Sequence, residues 1–496
     1  MTRLMLHGRS PSSILLNRLQ QARTRRQVTI LLLSGWNFDQ PQHKTQQNNN
    51  DNDEELFVEL QSYIFESRLD EIILHNCYGT DQLQMLIATT LQSDTTRLTI
   101  RYDKQQSKIP PTIVNGFLQS AAFSLGAKRL RSLSFRGMQL SLENVRALAI
   151  ALREFPWLES LSFKCNFLMH ELERLPDLSL LENGRPQVAM KELLGVIQNL
   201  PMLESLELEN CHLRDQDMAQ LFYVLQNGSS PRIRALKLRG NQCQTQSMES
   251  ISHWLSKPTC ELSLLDLSWQ HHHYQEPPGT TRNTFDNQKK NHFNILLGFP
   301  FLAEGLACNQ SLRTLSLSQN RMRSEYMAVL SRALCRNTTL RKLVMKDCRI
   351  SLTGLALLAQ NLQTFHLHSL NMNGDQRLPS RKVKDMLFRP MTRNVHLQDL
   401  ILPDEVWAGD DACPYNVSSS LKYLLEWNKA GRKVLLDPKF PDQMWPDLLA
   451  RADRVGRQEQ RDDRRAARHG ASAIYYLLRE KGPELLAREN GSVATN

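Results

Sequence analysis

The chain has 496 residues, of which 41% are hydrophobic and 23% charged, with a formal net charge of +10. That composition supplies enough apolar material for a large buried core and reads as a soluble globular protein; no apolar run approaches the ~18 residues of a membrane span. Nine cysteines in so long a chain, with no secretory apolar segment at the start, do not make a disulfide framework, so a reducing compartment is expected.

The charge is unevenly placed. Residues 1–38 hold Arg3, Arg9, Arg18, Arg23, Arg25 and Arg26 and no acid, which is +6 of the +10 and leaves +4 for the other 458 residues. A basic balance confined to one end is a weak pointer to nucleic acid. The acid-free opening admits two readings, an organellar transit peptide or a basic helical segment over 1–27 with Ile14, Leu15, Leu16 and Leu19 on one face. The second is favoured, because VTILLLSGWNF at Val28 already begins the pattern described next.

From there the chain repeats itself. The template L-x-x-L-x-L-x-x-N/C occurs at LDEIILHNC (Leu69), LRSLSFRGM (Leu130), LESLSFKCN (Leu158), LESLELENC (Leu203) and IRALKLRGN (Ile233). It continues at LSLLDLSWQ (Leu262), LRTLSLSQN (Leu312), LRKLVMKDC (Leu340), LQTFHLHSL (Leu362) and LQDLILPDE (Leu397), with a degenerate TTRLTI at Thr95. Starts at 130 and 158, or 312 and 340, lie 28 residues apart. The L-x-L alternation predicts a short strand with its leucines on one face. Between strands the period becomes helical: Val145, Leu148, Ala149 and Leu152; Met190, Leu193, Leu194 and Ile197; Met218, Leu221, Phe222 and Leu225; Tyr326, Val329, Leu330 and Ala333. Neither strand nor helix can bury its apolar stripe alone, so the units must stack. Strands sit about 4.8 Å apart and helices about 10 Å, so the stack is expected to curve with the strands on the concave side. The ninth position must close the turn after the strand. It reads Cys77, Met138, Asn166, Cys211, Asn241, Gln270, Asn320, Cys348 and Leu370, and its cysteines are expected to pack rather than to ligate.

On these motifs the chain resembles the ribonuclease-inhibitor-like class of leucine-rich repeat proteins, over roughly residues 28–405. The resemblance implies an α/β solenoid or horseshoe, parallel strands on the concave face and helices on the convex face. It carries little about function. Three segments interrupt the array, near 40–55 (including QQNNNDNDEE), 169–189 and 270–295 (including HHHYQEPPGTTRNTFDNQKKNH). The first is expected to be a disordered loop, and all three are ordinary loop growth or contact points for a partner. The array is taken to run over 28–415. Beyond it, SSSLKYLLEWNKAGRK, FPDQMWPDLLARAD and ASAIYYLLREKGPELL predict a helical C-terminal cap over 416–496, which resembles the extension of some algal members of the class.

Chemistry is hard to find. No phosphate-binding glycine loop, nucleophile elbow, H-E-x-x-H or C-x-x-C is present, so neither an enzyme nor a cofactor is expected. His366 and His368 lie two apart, on what the template makes the open face of one strand, with Val344, Ile401, Lys346 and Pro403 beside them. They lack a third ligand, and His271, His272 and His273 have nothing to fix their geometry, so no metal is expected. What remains is the concave face. Its central row reads Ile73, Ser134, Ser162, Glu207, Lys237, Asp266, Ser316, Val344 and His366, and its outer row His75, Arg136, Lys164, Glu209, Arg239, Ser268, Ser318, Lys346 and His368. Arg136, Lys164, Lys237, Arg239 and Lys346 form a basic strip broken by acids, which suits a protein partner better than a nucleic-acid backbone. The expectation is a non-enzymatic protein-interaction scaffold, monomeric and cytoplasmic (or nuclear, or organellar if the N-terminus is a transit peptide), with no membrane contact. The resemblance also admits a regulator of the Ran GTPase-activating type.

Overall fold

The computed structural model describes residues 2–8, 10, 12–25, 28–36, 50–78, 81–103, 129–137, 148–153, 155–164, 193–195, 197–211, 213–227, 232–270, 297–374, 380–403, 417–430 and 432. They divide into two compact units, Met1–Trp254 with Glu261–Asp266, and Leu255–Cys260 with Leu267–Asn496.

In the first unit nine strands lie side by side in chain order, every neighbouring pair parallel. They are β1 (Thr2–His7), β2 (Val28–Ser34), β3 (Glu71–His75), β4 (Arg97–Arg101), β5 (Ser132–Arg136), β6 (Ser160–Lys164), β7 (Ser205–Glu209), β8 (Ala235–Lys237) and β9 (Leu264–Asp266). Helices Ser12–Arg25, Asn50–Glu66, Asp81–Gln92, Asp215–Asn227 and Thr245–Leu255 connect them. Register puts Leu31, Ile72, Leu98, Leu133, Leu161, Leu206, Leu236 and Leu265 in one row, all buried. Each such side chain contributes about 1.5–3 kcal/mol by leaving water, and the parallel stack makes one continuous core of them. The helical stripe read around Met218 is also buried: Met218, Leu221, Phe222 and Leu225.

The second unit repeats the plan with β10 (Thr314–Ser316), β11 (Lys342–Val344), β12 (Ser369–Asn371) and β13 (Asp399–Ile401), parallel in that order. Leu315 pairs with Leu343 in register, and both are fully buried. Its helices are Phe299–Cys308, Ser324–Arg336, Leu352–Asn361, Ser380–Arg393 and Val417–Ala430. The α/β leucine-rich repeat fold expected from the template is therefore present.

The turn after each strand explains the ninth position. The residue before it is left-handed at Gly35, Asn76, Gly137, Asn210 and Gly240, and at Gln319 and Asp347 in the second unit. A Cβ at Gly240 would overlap the Asn210 side chain, so glycine is required there. The ninth side chain then turns inward. Asn241 Nδ2 donates to the Leu208 and Leu238 carbonyls (2.6 and 2.9 Å), while its Oδ1 accepts from the Cys211 and Leu213 amides. Asn320 does the same with Leu267, Leu317 and Gln270. The thiols of Cys77, Cys211 and Cys348 donate to the Leu33, Phe163 and Leu317 carbonyls, and burial pushes the Cys77 thiol up to about 12. They pack and bond, as the template implied.

A second ladder was not foreseen. Asn309, Asn337, Asn394 and Asn428 are buried at helix ends, each with its side-chain amide donating to a main-chain carbonyl of the preceding repeat. Asn309, Asn337 and Asn394 also accept from the amide of the leucine three residues on. The signal in the sequence is N-x-x-L ahead of the template.

Several expectations need correction. The sheet opens at Thr2–His7, a strand within the 1–27 segment read as helical, because Leu4 and Leu6 alternate as a strand and pair with Leu31 and Leu33. The degenerate TTRLTI leads into a full five-residue strand, β4 (Arg97–Arg101). The polar tract 40–55 is helical from Asn50 onward; residues 40–49 lie outside those described, as do 169–189 and 271–295. In Ser324–Arg336 the buried stripe runs through Met327, Leu330 and Leu334 rather than Tyr326 and Val329. The repeat at Leu362 is shifted: Leu362–Thr364 is a 3-10 turn, and the strand is Ser369–Asn371, with Leu370 between Leu343 and Leu400. Leu370 is thus a strand leucine, not a turn-closing residue, and the template falls on LHSLNM. Val417–Ala430 is a helix where one was expected; of the later cap residues only Arg432 is described.

Candidate functional site

On strands β3 to β7 the inward positions are leucine, isoleucine or phenylalanine, and the outward positions are polar apart from Ile73. Register gives the central row of the first unit as Ile73, Ser134, Ser162, Glu207, Lys237 and Asp266, with Thr99 added between the first two. The next outward row reads Ser34, His75, Arg101, Arg136, Lys164 and Glu209. Arg101 was missed because its strand was read as degenerate.

The basic strip does not survive as a strip. Glu207 is only 9% exposed, although it stands on the open face. Its Oε2 accepts from Ser162 Oγ and from Lys164 Nζ, both at 2.8 Å, and its Oε1 accepts from Lys237 Nζ. Lys164 also lies 3.8 Å from Glu209. Burial pushes the Glu207 carboxyl up, but the hydrogen bonds from Lys164, Lys237 and Ser162 outweigh it and hold the group at about 2. Burial likewise lowers Lys237, and its bond to Glu207, with Glu209 and Asp266 nearby, more than restores it. Two of the five predicted cations are therefore occupied in an internal lysine–glutamate–lysine clamp. Arg239 is exposed just beyond β8, and its carbonyl accepts from the Asn210 amide at 2.7 Å. Lys346 is exposed in the second unit, after β11.

Arg136 closes β5 with an exposed side chain, and among the described residues its guanidinium has no hydrogen-bond or ion-pair partner. Arg101 stands beside it in register and is also exposed; the acid that feels it is Asp103. Between these arginines and the Glu207 clamp the sheet carries only small side chains, Ser132, Ser134, Ser160 and Ser162.

One alignment imitates a catalytic triad. Ser34 Oγ lies 3.3 Å from His75 Nδ1, and His75 Nε2 lies 3.3 Å from Asp103 Oδ1. Asp103 is held below the ordinary carboxylate range by Asn76 first and His75 second. A hydrolase would also need donors for an oxyanion, commonly the amide after the nucleophile. Here the Gly35 amide is already committed to the His75 carbonyl at 2.9 Å. Asp103 is half-exposed, so water screens it. The chain of bonds fixes the His75 ring rather than activating Ser34.

Sequence reasoning placed His366 and His368 together on a strand. The structure puts both before β12, His366 half-buried and tilted against His396 at 4.5 Å between ring centroids, His368 exposed. The neighbours of Val344 and Ile401 in that row are instead Asn371. Among the described residues no group of three histidines, cysteines or carboxylates could hold a metal; His271, His272 and His273 lie outside them. No helix among those residues is long and apolar enough to cross a membrane.

Parts of the chain match known proteins. Residues 336–359 match the family model described as a leucine-rich repeat. NACHT, LRR and PYD domains-containing protein 5 from Homo sapiens is 28% identical over 206 residues, 40% of this chain and 15% of the relative. The Bos taurus protein of the same name is 30% identical over 176 residues, 34% of this chain and 14% of the relative. The chain thus matches about one seventh of the length of these relatives. Among solved structures, the TLR13–ssRNA13 complex aligns over 82% of this chain and 55% of that one, with a TM-score of 0.33 at 14% identity. Template, strand register, turn chemistry and the matched repeat together show a leucine-rich repeat fold.

Proposed function

We propose that the chain is a recognition module without chemistry of its own, which binds a protein partner on the open face of strands β3 to β8. One observation carries the reading: consecutive in-register strands hold their outward residues at fixed spacing over a continuous leucine core. A surface fixed in this way loses little conformational entropy on binding. Its mixed charge, with Glu207 locked between Lys164 and Lys237 and Arg136 exposed, sets which partners fit. The resemblance to the ribonuclease-inhibitor-like class and the match to other leucine-rich repeat chains support the same kind of role.

The test is site-specific photo-crosslinking. A benzophenone side chain placed at Ser134, on the open face, is compared with one at Tyr223, which is 62% exposed on the Asp215–Asn227 helix. The expected result is protein adducts from position 134 and none from 223. Adducts from 223 alone would move the binding site to the helical side and end this proposal.

A further inference from the structure

Among the described residues of the docking face, Arg101 and Arg136 leave positive charge over. Arg101 and Arg136 end neighbouring strands in register and are exposed, and among the described residues their guanidinium groups form no hydrogen bond. Parallel strands lie about 4.8 Å apart, so the two guanidinium groups can reach one carboxylate from both sides. Bidentate arginine–carboxylate pairs are among the stronger charge-assisted hydrogen bonds. The floor next to them is made of Thr99, Ser134 and Ser162, short side chains that leave room for a main chain to approach.

The charges around this pair limit what fits. On one side stand His75 and Asp103, bonded to each other. On the other, Lys164 is already shared between Glu207 and Glu209. Positive charge is therefore confined to about two strands and bounded by carboxylates at both ends. A nucleic-acid strand carries a phosphate roughly every 3.4 Å of its length and would run onto those carboxylates. A short acidic stretch of polypeptide would not.

We infer that the partner presents an extended acidic segment, one of whose carboxylates is gripped jointly by Arg101 and Arg136 over the Thr99–Ser134–Ser162 floor. This rests on the docking face proposed above and adds the chemistry of its occupant.

The experiment measures fluorescence anisotropy of a dye-labelled peptide of alternating glutamate and serine with the full chain. A labelled single-stranded oligonucleotide serves as competitor probe. The peptide is expected to bind, and R101E/R136E to weaken it by at least about tenfold. R101K/R136K keeps the charge but loses the fork geometry and should fall between. R332E/R336E, on the exposed side of the Ser324–Arg336 helix, should leave affinity within about twofold. Circular dichroism checks folding, and R101Q/R136Q replaces the reversal if that variant does not fold. No peptide binding, equal losses in R101E/R136E and R332E/R336E, or tighter binding of the oligonucleotide through the same two arginines would each overturn the inference. Protein adducts at position 134 that the acidic peptide cannot displace would overturn it while leaving the docking face standing.

Discussion

Strands β3 to β7 are five residues long and end on His75, Arg101, Arg136, Lys164 and Glu209. Strands β10 to β13 are three residues long, and the matching outward positions fall just beyond them, at Ser318, Lys346, Asn373 and Pro403. Inward, the two regions are alike: Leu133, Leu161 and Leu206 in one, Leu315, Leu343 and Leu370 in the other, all buried. The inward residues answer to packing, which accepts only large apolar side chains at that spacing. The outward residues are released from that constraint, and only the first region uses the freedom to concentrate charge. That contrast is the reason the docking face is proposed on β3 to β8 rather than on β10 to β13.

The largest expected effect separates the two ways of closing a turn. Asn320 satisfies two carbonyls and one amide, so Asn320→Ala leaves buried groups unpaired and should cost about 2–4 kcal/mol. Cys348 gives only weak thiol bonds, to the Leu317 and Lys346 carbonyls, and Cys348→Ala should cost about 1 kcal/mol. Urea denaturation with amide exchange at Gln270 reads the difference, and equal losses would show that the asparagine turn is no more demanding than the cysteine turn.

The charged face offers a smaller, pH-dependent effect. Glu207 titrates at about 2 in the folded protein, below its ordinary ~4.3 in an unfolded chain. A depressed carboxylate stabilises the fold fully above the unfolded value, and that contribution is lost as pH falls toward the folded one. The ceiling is about 3 kcal/mol, and water around the partly exposed lysines reduces it to roughly 1–2 kcal/mol. Glu207→Gln should therefore be less stable than the parent at pH 7, with the gap closing between pH ~5 and ~2. Denaturation midpoints across that range check it; a gap that stays constant would mean the clamp acts through packing rather than charge.

The smallest effect belongs to an exposed ion pair at the start of β5 and β6. Arg131 and Glu159 form a 2.5 Å ion pair with both side chains largely exposed. Arg131→Ala should change stability by no more than ~0.5 kcal/mol. A shift as large as that of Glu207→Gln would show that burial is not what distinguishes the clamp.

How much of this could be read in advance differs from residue to residue. β4 follows its neighbours in the alternation of Leu98 and Ile100, yet its lack of a leading leucine hid Arg101. At LQTFHLHSLNM two frames, from Leu362 and from Leu367, both match the template. Only the pairing of Leu370 with Leu343 and Leu400 chooses between them. The helix at Asn50 was concealed by asparagines and acids, which mark its start rather than a loop.

The sequence by itself determined the repeating unit, the inward leucines and the turn-closing asparagines and cysteines. Each of these follows from side-chain period and local hydrogen-bonding capacity within one repeat. Only the tertiary structure decided that Lys164 and Lys237 are joined to Glu207 while Arg101 and Arg136 remain exposed side by side. Those partners come from different repeats, separated by loops of unequal length. Which charges meet is fixed by strand register, and the stacking of the leucines sets that register without regard to the charges.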